Sequence, residues 1–262
     1  MTYSRTRLTA DTTLYASPSG AGSQDGSDTS NPFAGVQDAW DALQRDYDLN
    51  GFTATIQLMD GSYSAGLQGY GPMVGLMKPG GSPVVIKGDP TASQVSFNTP
   101  GVNTFSFDGG AAATIVLMTI SASGASPIYA TNGGIIEYGS IRFGTASTHA
   151  FADSQGMIVC TGSCSIVQGA TYHIMANGSG SAATIVPGVT LTLASGLGFA
   201  GAFAFAGRLG RVAIPIPGVN FSGTCTGQQG YASLLGCLDC AGGSASLPGN
   251  SACGSNYGGQ VY

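Results

Sequence analysis

The chain has 262 residues, 43 of them glycine, with 8% charged residues and a net charge of −5. Its eight Lys and Arg are scattered and leave no basic footprint for phosphates, and no apolar run approaches the ~18 residues of a membrane span. Abundant β-branched and aromatic residues argue against disorder, so the composition predicts a β-rich solid that binds no nucleic acid and does not insert into a membrane. A surface of Ser, Thr, Gly and Asn suits carbohydrate contact or self-association.

Residues 1–13 are polar with no apolar period and read as an arm. No apolar core follows Met1-Thr-Tyr-Ser-Arg-Thr-Arg, so no signal peptide is expected. Leu14 to Gly20 reads as a short strand and turn, and 21–31 as a polar loop. Asn31-Pro32 reads as the cap and first position of a helix, on which Phe33, Val36, Ala39, Trp40, Leu43 and Tyr47 recur at helical spacing. Such a stripe needs something to cover, and the open end of a stacked β structure fits; Trp40 reads as its anchor. Thr53 to Leu58 alternates at period two and leads into the turn Asp60-Gly61-Ser62-Tyr63. Residues 64–83, with Met73 and Met77, read as an irregular loop, after which Val84 to Gly88 and Val95 to Phe97 resume strands.

From 105 to 240, triplets of short apolar runs return about every 21 to 30 residues. The first run of each triplet is Phe105-Ser-Phe, Ile128-Tyr-Ala, Ala150-Phe-Ala, His173-Ile-Met-Ala, Phe203-Ala-Phe-Ala and Tyr231-Ala-Ser-Leu. The second series includes Ile135-Ile-Glu-Tyr and Met157-Ile-Val-Cys, and the third Ile141-Arg-Phe and Cys164-Ser-Ile-Val. Three strands per period describe one rung of a parallel β-helix. The predicted fold class is all-β: a right-handed parallel β-helix over 53–240, with an entry strand and capping helix in 14–52. The tail 241–262 reads as a C-terminal cap or docking strap.

The six cysteines lie in the C-terminal 40% of the chain. Free thiols are the expected state for a cytosolic product. Two alternatives stay open: disulfides formed after release, and a four-thiolate zinc site at Cys225, Cys237, Cys240 and Cys253. No cofactor is expected. If the chain is an enzyme, the acids that a glycosidase would need come from Asp108, Glu137 and Asp153. Rung alignment puts Asp108, Asn132, Asp153 and Asn177 near one turn, where Asn and Asp also serve for their tolerance of left-handed backbone. Glu137 alternates outward, where the alternatives to catalysis are a surface ion pair with nearby Arg142 and a trimer contact. His149 and His173 stand one rung apart near Tyr129 and Tyr172; the four are candidates for ligand binding, or form an exposed or interfacial ladder.

Leu14-Tyr-Ala-Ser-Pro-Ser-Gly, then Asn31-Pro-Phe-Ala-Gly-Val-Gln-Asp-Ala-Trp-Asp-Ala-Leu, then Thr55-Ile-Gln-Leu-Met-Asp-Gly-Ser-Tyr resemble the entry module of right-handed β-helix proteins of the pectate-lyase-like superfamily. The whole chain is similar to phage- and prophage-encoded β-helix proteins. The resemblance implies a spike or fibre of a phage or gene-transfer-agent particle, usually a homotrimer. It also implies a virion location after assembly in the bacterial cytoplasm and release by lysis, one terminus on another virion protein, and contact with host-surface glycan. Some members of this group cleave such glycans, which keeps a depolymerase as the alternative. The matched residues include no catalytic group. A pectate-type lyase would need more acidic ligands for calcium than Asp108 and Asp153 supply.

Overall fold

The protein is described by a computed structural model covering residues 4–20, 23–75, 83–89, 91, 94–240 and 246–262. It is a parallel β-solenoid of about seven turns, with one helix, Val36–Asp46, among the described residues. The first runs form an eight-stranded sheet, from Leu67–Tyr70 through Phe105–Asp108, Ile128–Ala130, Thr148–Asp153, Ala170–Asn177, Leu197–Gly207 and Cys225–Ser233 to Gly254–Ser255. The second and third runs share a fifteen-stranded sheet that wraps the rest of the coil. In two coils these runs are one strand, Ala112–Ala122 and Ile135–Ala146, bent at Leu117 (φ 65°) and Ser140 (φ 53°). The predicted three short strands per rung are there two, because a single left-handed residue turns the corner without breaking the ladder.

Period-two alternation decides which side chains fill the coil. Ile128 and Ala130 pair with Ala150 and Ala152, these with Ile174 and Ala176, and these with Ala204 and Ala206, and all eight are fully buried. The residues between them point outward. A turn with positive φ then leads to the second run, at Gly109-Gly110, Asn132-Gly133, Ser154-Gln155, Arg208-Leu209, Leu234-Leu235 and Tyr257-Gly258. Immediately after these turns stands a column of residues, Gly134, Gly156, Ser181, Gly210, Gly236 and Gly259. The carbonyl of each member but the last accepts from the N–H that follows the next member, as when Met157 donates to Gly134 and Ala182 to Gly156. A Cβ on Gly134 or Gly156 would lie 2.1 Å from the carbonyl oxygen of Phe107 or Ala130 in the coil below, which excludes any larger residue there.

The helix begins at Val36, after Gly35, rather than at Pro32. Asn31 spends its side chain on the polar loop, accepting from the Ser23 N–H at 3.1 Å, and Phe33 forms a parallel bridge with Ala16. Val36, Ala39, Trp40 and Leu43 are buried, and Trp40 meets Phe107 edge to face at 5.0 Å. Gln37 exchanges two hydrogen bonds with the Gln68 backbone (2.7 and 3.2 Å), and the Gln44 amide donates to Tyr70 O. The partner is Leu67–Tyr70, the edge of the eight-stranded sheet. This strand lies inside 64–83, so that stretch is not wholly a loop; 76–82, with Met77, lie outside the described residues. Part of the arm is stitched down too, Thr6 and Arg7 pairing with Tyr47 and Asp48. At the other end Gly254–Ser255 and Gln260–Val261 continue both sheets, so the described tail is a further stretch of coil.

Candidate functional site

The outward row of the eight-stranded sheet is unusually apolar. Register places Tyr129, Phe151, Met175, Phe205 and Tyr231 side by side on five successive coils. Tyr129 meets Phe151 at 5.3 Å edge to face, and Phe205 stacks on Tyr231 at 6.2 Å. Tyr172, from a neighbouring row, tilts against Phe205 at 4.9 Å. Each ring is part-buried by its neighbours and keeps a side toward solvent. An open depression of about 420 Å³ lies at the early end of the row, lined by Asn103, Ser126, Tyr129, Phe151, Tyr172 and Met175. Rings standing on a rigid ladder, rimmed by amide and hydroxyl groups, offer flat apolar faces beside hydrogen-bonding edges. That combination fits a ligand with alternating C–H and O–H surfaces.

Polar groups flank the row. Asp108, Thr131, Asp153 and Asn177 fall in line one residue beyond the last inward position of each strand. Thr131, not Asn132, completes this line; Asn132 sits in the turn beyond it, at φ 47°. The Tyr129 hydroxyl donates to Asp153 Oδ2 at 3.3 Å. Burial raises the Tyr129 pKa, and the carboxylates of Asp153 and Asp108 raise it further, so the ring stays a neutral donor. Asp108 and Asp153 are two coils apart, about 10 Å, just beyond the span of an inverting glycosidase pair. Glu137 does not join them. It lies on the other sheet and accepts from Thr114 Oγ1 at 3.2 Å. Among the described residues the ion pairs are Arg45–Asp46 and Arg211–Asp239, so the Glu137–Arg142 pair, one of the alternatives for Glu137, is not formed.

The histidines are inside. His149 and His173 are fully buried, against the expectation of an exposed ladder. The chain turns a corner as it enters the first run, so His149 and Ala150 both face inward, as do His173 and Ile174. Phe143, Phe199 and Phe203 surround the pair. The tautomers follow from the contacts. A carbonyl can only accept, so His149 Nε2–H donates to Gly144 O at 3.0 Å and its neutral Nδ1 is an acceptor. His173 Nδ1–H therefore donates to His149 Nδ1 at 3.2 Å, leaving His173 Nε2 as a buried lone pair with no partner. Burial lowers the His149 pKa to about 4, the Gly144 bond only partly opposing it, and burial followed by His149 pushes His173 well down. Neither ring can touch a ligand from outside.

The four-thiolate zinc site does not assemble. Cys225 begins a strand of the eight-stranded sheet, whereas Cys237 and Cys240 lie on the other sheet or just past it. Burial, then the neighbouring Cys253, pushes the Cys240 thiol up to about 12. Among the described residues no three His, Cys, Asp or Glu side chains come together around a possible metal ion. Of the residues anticipated for binding, Tyr129 and Tyr172 line the aromatic face and His149 and His173 do not. Phe151, Met175, Phe205 and Tyr231 were missed, although register with Tyr129 of Ile128-Tyr-Ala, the middle and outward residue of its run, leads to each in turn. In comparisons with known proteins the chain matches no protein-family model, no curated protein and no solved structure.

Proposed function

We propose that this chain is a non-enzymatic spike or fibre component of a phage or phage-like particle, and that it holds host-surface glycan on the row Tyr129, Phe151, Met175, Phe205 and Tyr231. That row carries the reading: five outward apolar side chains on a hydrogen-bonded ladder, with carboxylate and amide groups along one margin. The resemblance of the chain as a whole to phage- and prophage-encoded β-helix proteins supplies the setting. We read the coil as right-handed, the hand that crossovers between parallel strands overwhelmingly take. We read the helix as its N-terminal cap, since Gln37 and Gln44 occupy the backbone groups of the edge strand. The polar N-terminal arm is the proposed attachment to another virion protein.

A homotrimer accounts for a second surface. Leu209, Leu234 and Leu235 hold φ of 67°, 51° and 63° and are 57%, 45% and 62% exposed. A non-glycine residue in this conformation costs about 1–2 kcal/mol, and the first coils use Gly109-Gly110 and Asn132-Gly133 in the same turn. Retaining leucine there, facing water, makes sense if sister protomers cover it.

The test is binding of the purified full chain to capsule and lipopolysaccharide preparations. Replacing Tyr129 and Phe205 by Ser should weaken binding by about tenfold or more, with circular dichroism unchanged. Unchanged affinity in that variant would remove the aromatic row from the proposal. Reducing ends released by the wild type and abolished by Asp153→Asn would replace the binding reading with a depolymerase.

A further inference from the structure

Where the third run gives way to the first, the early coils carry a second depression. It holds about 610 Å³ and is lined by Ser64, Gly66, Gln68, Gly101, Val102 and Asn103. Asn103 and Ala125 also line the depression of about 420 Å³ at the early end of the aromatic row, so the two form one groove. Its corner is bare and firmly held. Gly101 and Gly124, both on the lining, take φ of 77° and 79°, and a Cβ added at either would meet nothing within 4 Å. A backbone ladder crosses the same corner: Thr104 N–H donates to Ser126 O at 3.2 Å, Ser147 to Ala125 O at 2.8 Å and Thr171 to Ser147 O at 2.8 Å.

Two side chains offer this groove unused hydrogen-bonding atoms. A backbone N–H can only donate, so Ser126 N–H fixes Asn103 Oδ1 as its acceptor at 2.9 Å and turns the amide nitrogen away. Gln68 is fixed likewise, its Nε2 donating to Asn103 O at 3.3 Å. Among the described residues Asn103 Nδ2 and Gln68 Oε1 have no partner, and both stay open to solvent. None of the described residues lining either depression is charged. The chain has no Lys or Arg in 88–141 or 143–207, and Arg142 lies on the fifteen-stranded sheet, so these coils turn no cation toward the groove. Along the margin stand the carboxylates of Asp108 and Asp153.

We propose that the glycan site on the aromatic row extends through Asn103 into the second depression, and that the joined groove selects uncharged sugar chains against acidic ones. This selectivity rests on glycan binding by the row and names the chemical class that the row holds. An uncharged chain meets ring faces, hydroxyls, the Asn103 amide donors and the Gln68 acceptor. A uronic acid or sugar phosphate would give up its hydration with no cation to receive it, beside carboxylates of its own sign. Asn103 sets the polarity of the junction, presenting donors where an aspartate would present an acceptor.

The test takes the capsule and lipopolysaccharide glycans, releases them as oligosaccharides and separates these by anion exchange into uncharged and acidic pools. Each pool competes with the immobilised parent glycan for the full chain at neutral pH. The uncharged pool should compete about tenfold more strongly per sugar, or better, and its affinity should change less than about twofold between about 0.05 and 0.5 M salt. Asn103→Asp keeps an acceptor for Ser126 N–H but removes the donors, and should weaken the uncharged pool about tenfold with circular dichroism unchanged. Equal or stronger competition by the acidic pool, or wild-type affinity in Asn103→Asp, would overturn the selectivity. The aromatic row would still stand if the Tyr129, Phe205 double variant lost binding. Parent glycans that do not bind at all would remove the glycan reading and the selectivity with it.

Discussion

His149 and His173 share a cage with Phe143, Phe199 and Phe203, where an added proton has no counter-charge among the ring contacts. Both rings are neutral when folded, and both would take a proton near pH 6.5 when unfolded. The depressed folded pKa makes the unfolded state bind more protons below pH 6.5. The stabilisation is therefore complete above that value and lost as pH falls, for His149 down to about 4. His149 alone predicts a loss of about 2.5 kcal/mol between pH 7.5 and 4.5, and His173 adds to it in the same direction. Urea unfolding at both pH values checks this, and the His149→Phe, His173→Phe double variant should lose markedly less. A double variant as acid-sensitive as the wild type would show that other groups set the response. The spacing of these residues placed them one rung apart correctly. Their burial was hidden because the corner suspends alternation for one residue, and a corner leaves no periodic trace. The cysteines show the same limit: Cys160 and Cys164 stood in separate series, and the bend that brings their sulfurs to one carbonyl depends on Gly162.

The helix is the element whose chemistry is most local, and its face was readable from spacing alone. Trp40 and Leu43 are fully buried, as the stripe predicted. Its start was misplaced because Asn31-Pro32 suits a loop as well as a cap, and here Asn31 serves the loop. The strand Leu67–Tyr70 escaped notice because four residues containing a glycine show too little alternation. Its outer edge depends on the helix. Gln37→Ala leaves the Gln68 N–H and carbonyl without those partners and should cost about 1–2 kcal/mol. Trp40→Ala opens a large cavity against Phe107 and should cost about 3–5 kcal/mol. Denaturant midpoints measure both, and losses below half a kcal/mol would mean that the helix contributes little to holding the first coil.

For the molecule as a whole, repetition was the strongest signal in the sequence, and the first-run series is close to the observed register. Ile128-Tyr-Ala, Ala150-Phe-Ala and the Ile-Met-Ala of Ile174 align residue for residue. The second series drifts: Thr114, which opens the run Thr114-Ile-Val-Leu that precedes Ile135-Ile-Glu-Tyr in that series, pairs with Glu137, not Ile135. Apolar runs alone do not fix where a strand begins, whereas the small residue before each one, usually glycine, does. The face that presents five apolar side chains was not recognised for a related reason, since outward and inward residues were both apolar and the contrast that marks a surface was missing.

The column of Gly134, Gly156, Ser181, Gly210, Gly236 and Gly259 has a consequence for size. Its members are equivalent points on successive coils, yet the chain between them varies from 22 residues, Gly134 to Gly156, to 29, Ser181 to Gly210. Excising 135–156 joins Gly134 to Met157, the residue type and position that already precede a second run. The shortened chain should fold with the same circular dichroism and measure about 4.8 Å less along its axis by small-angle scattering. An unfolded product would show that individual coils are not interchangeable. If it folds, the protein is a ruler graduated in coils, and the distance between its two ends can be changed by counting rather than by redesign.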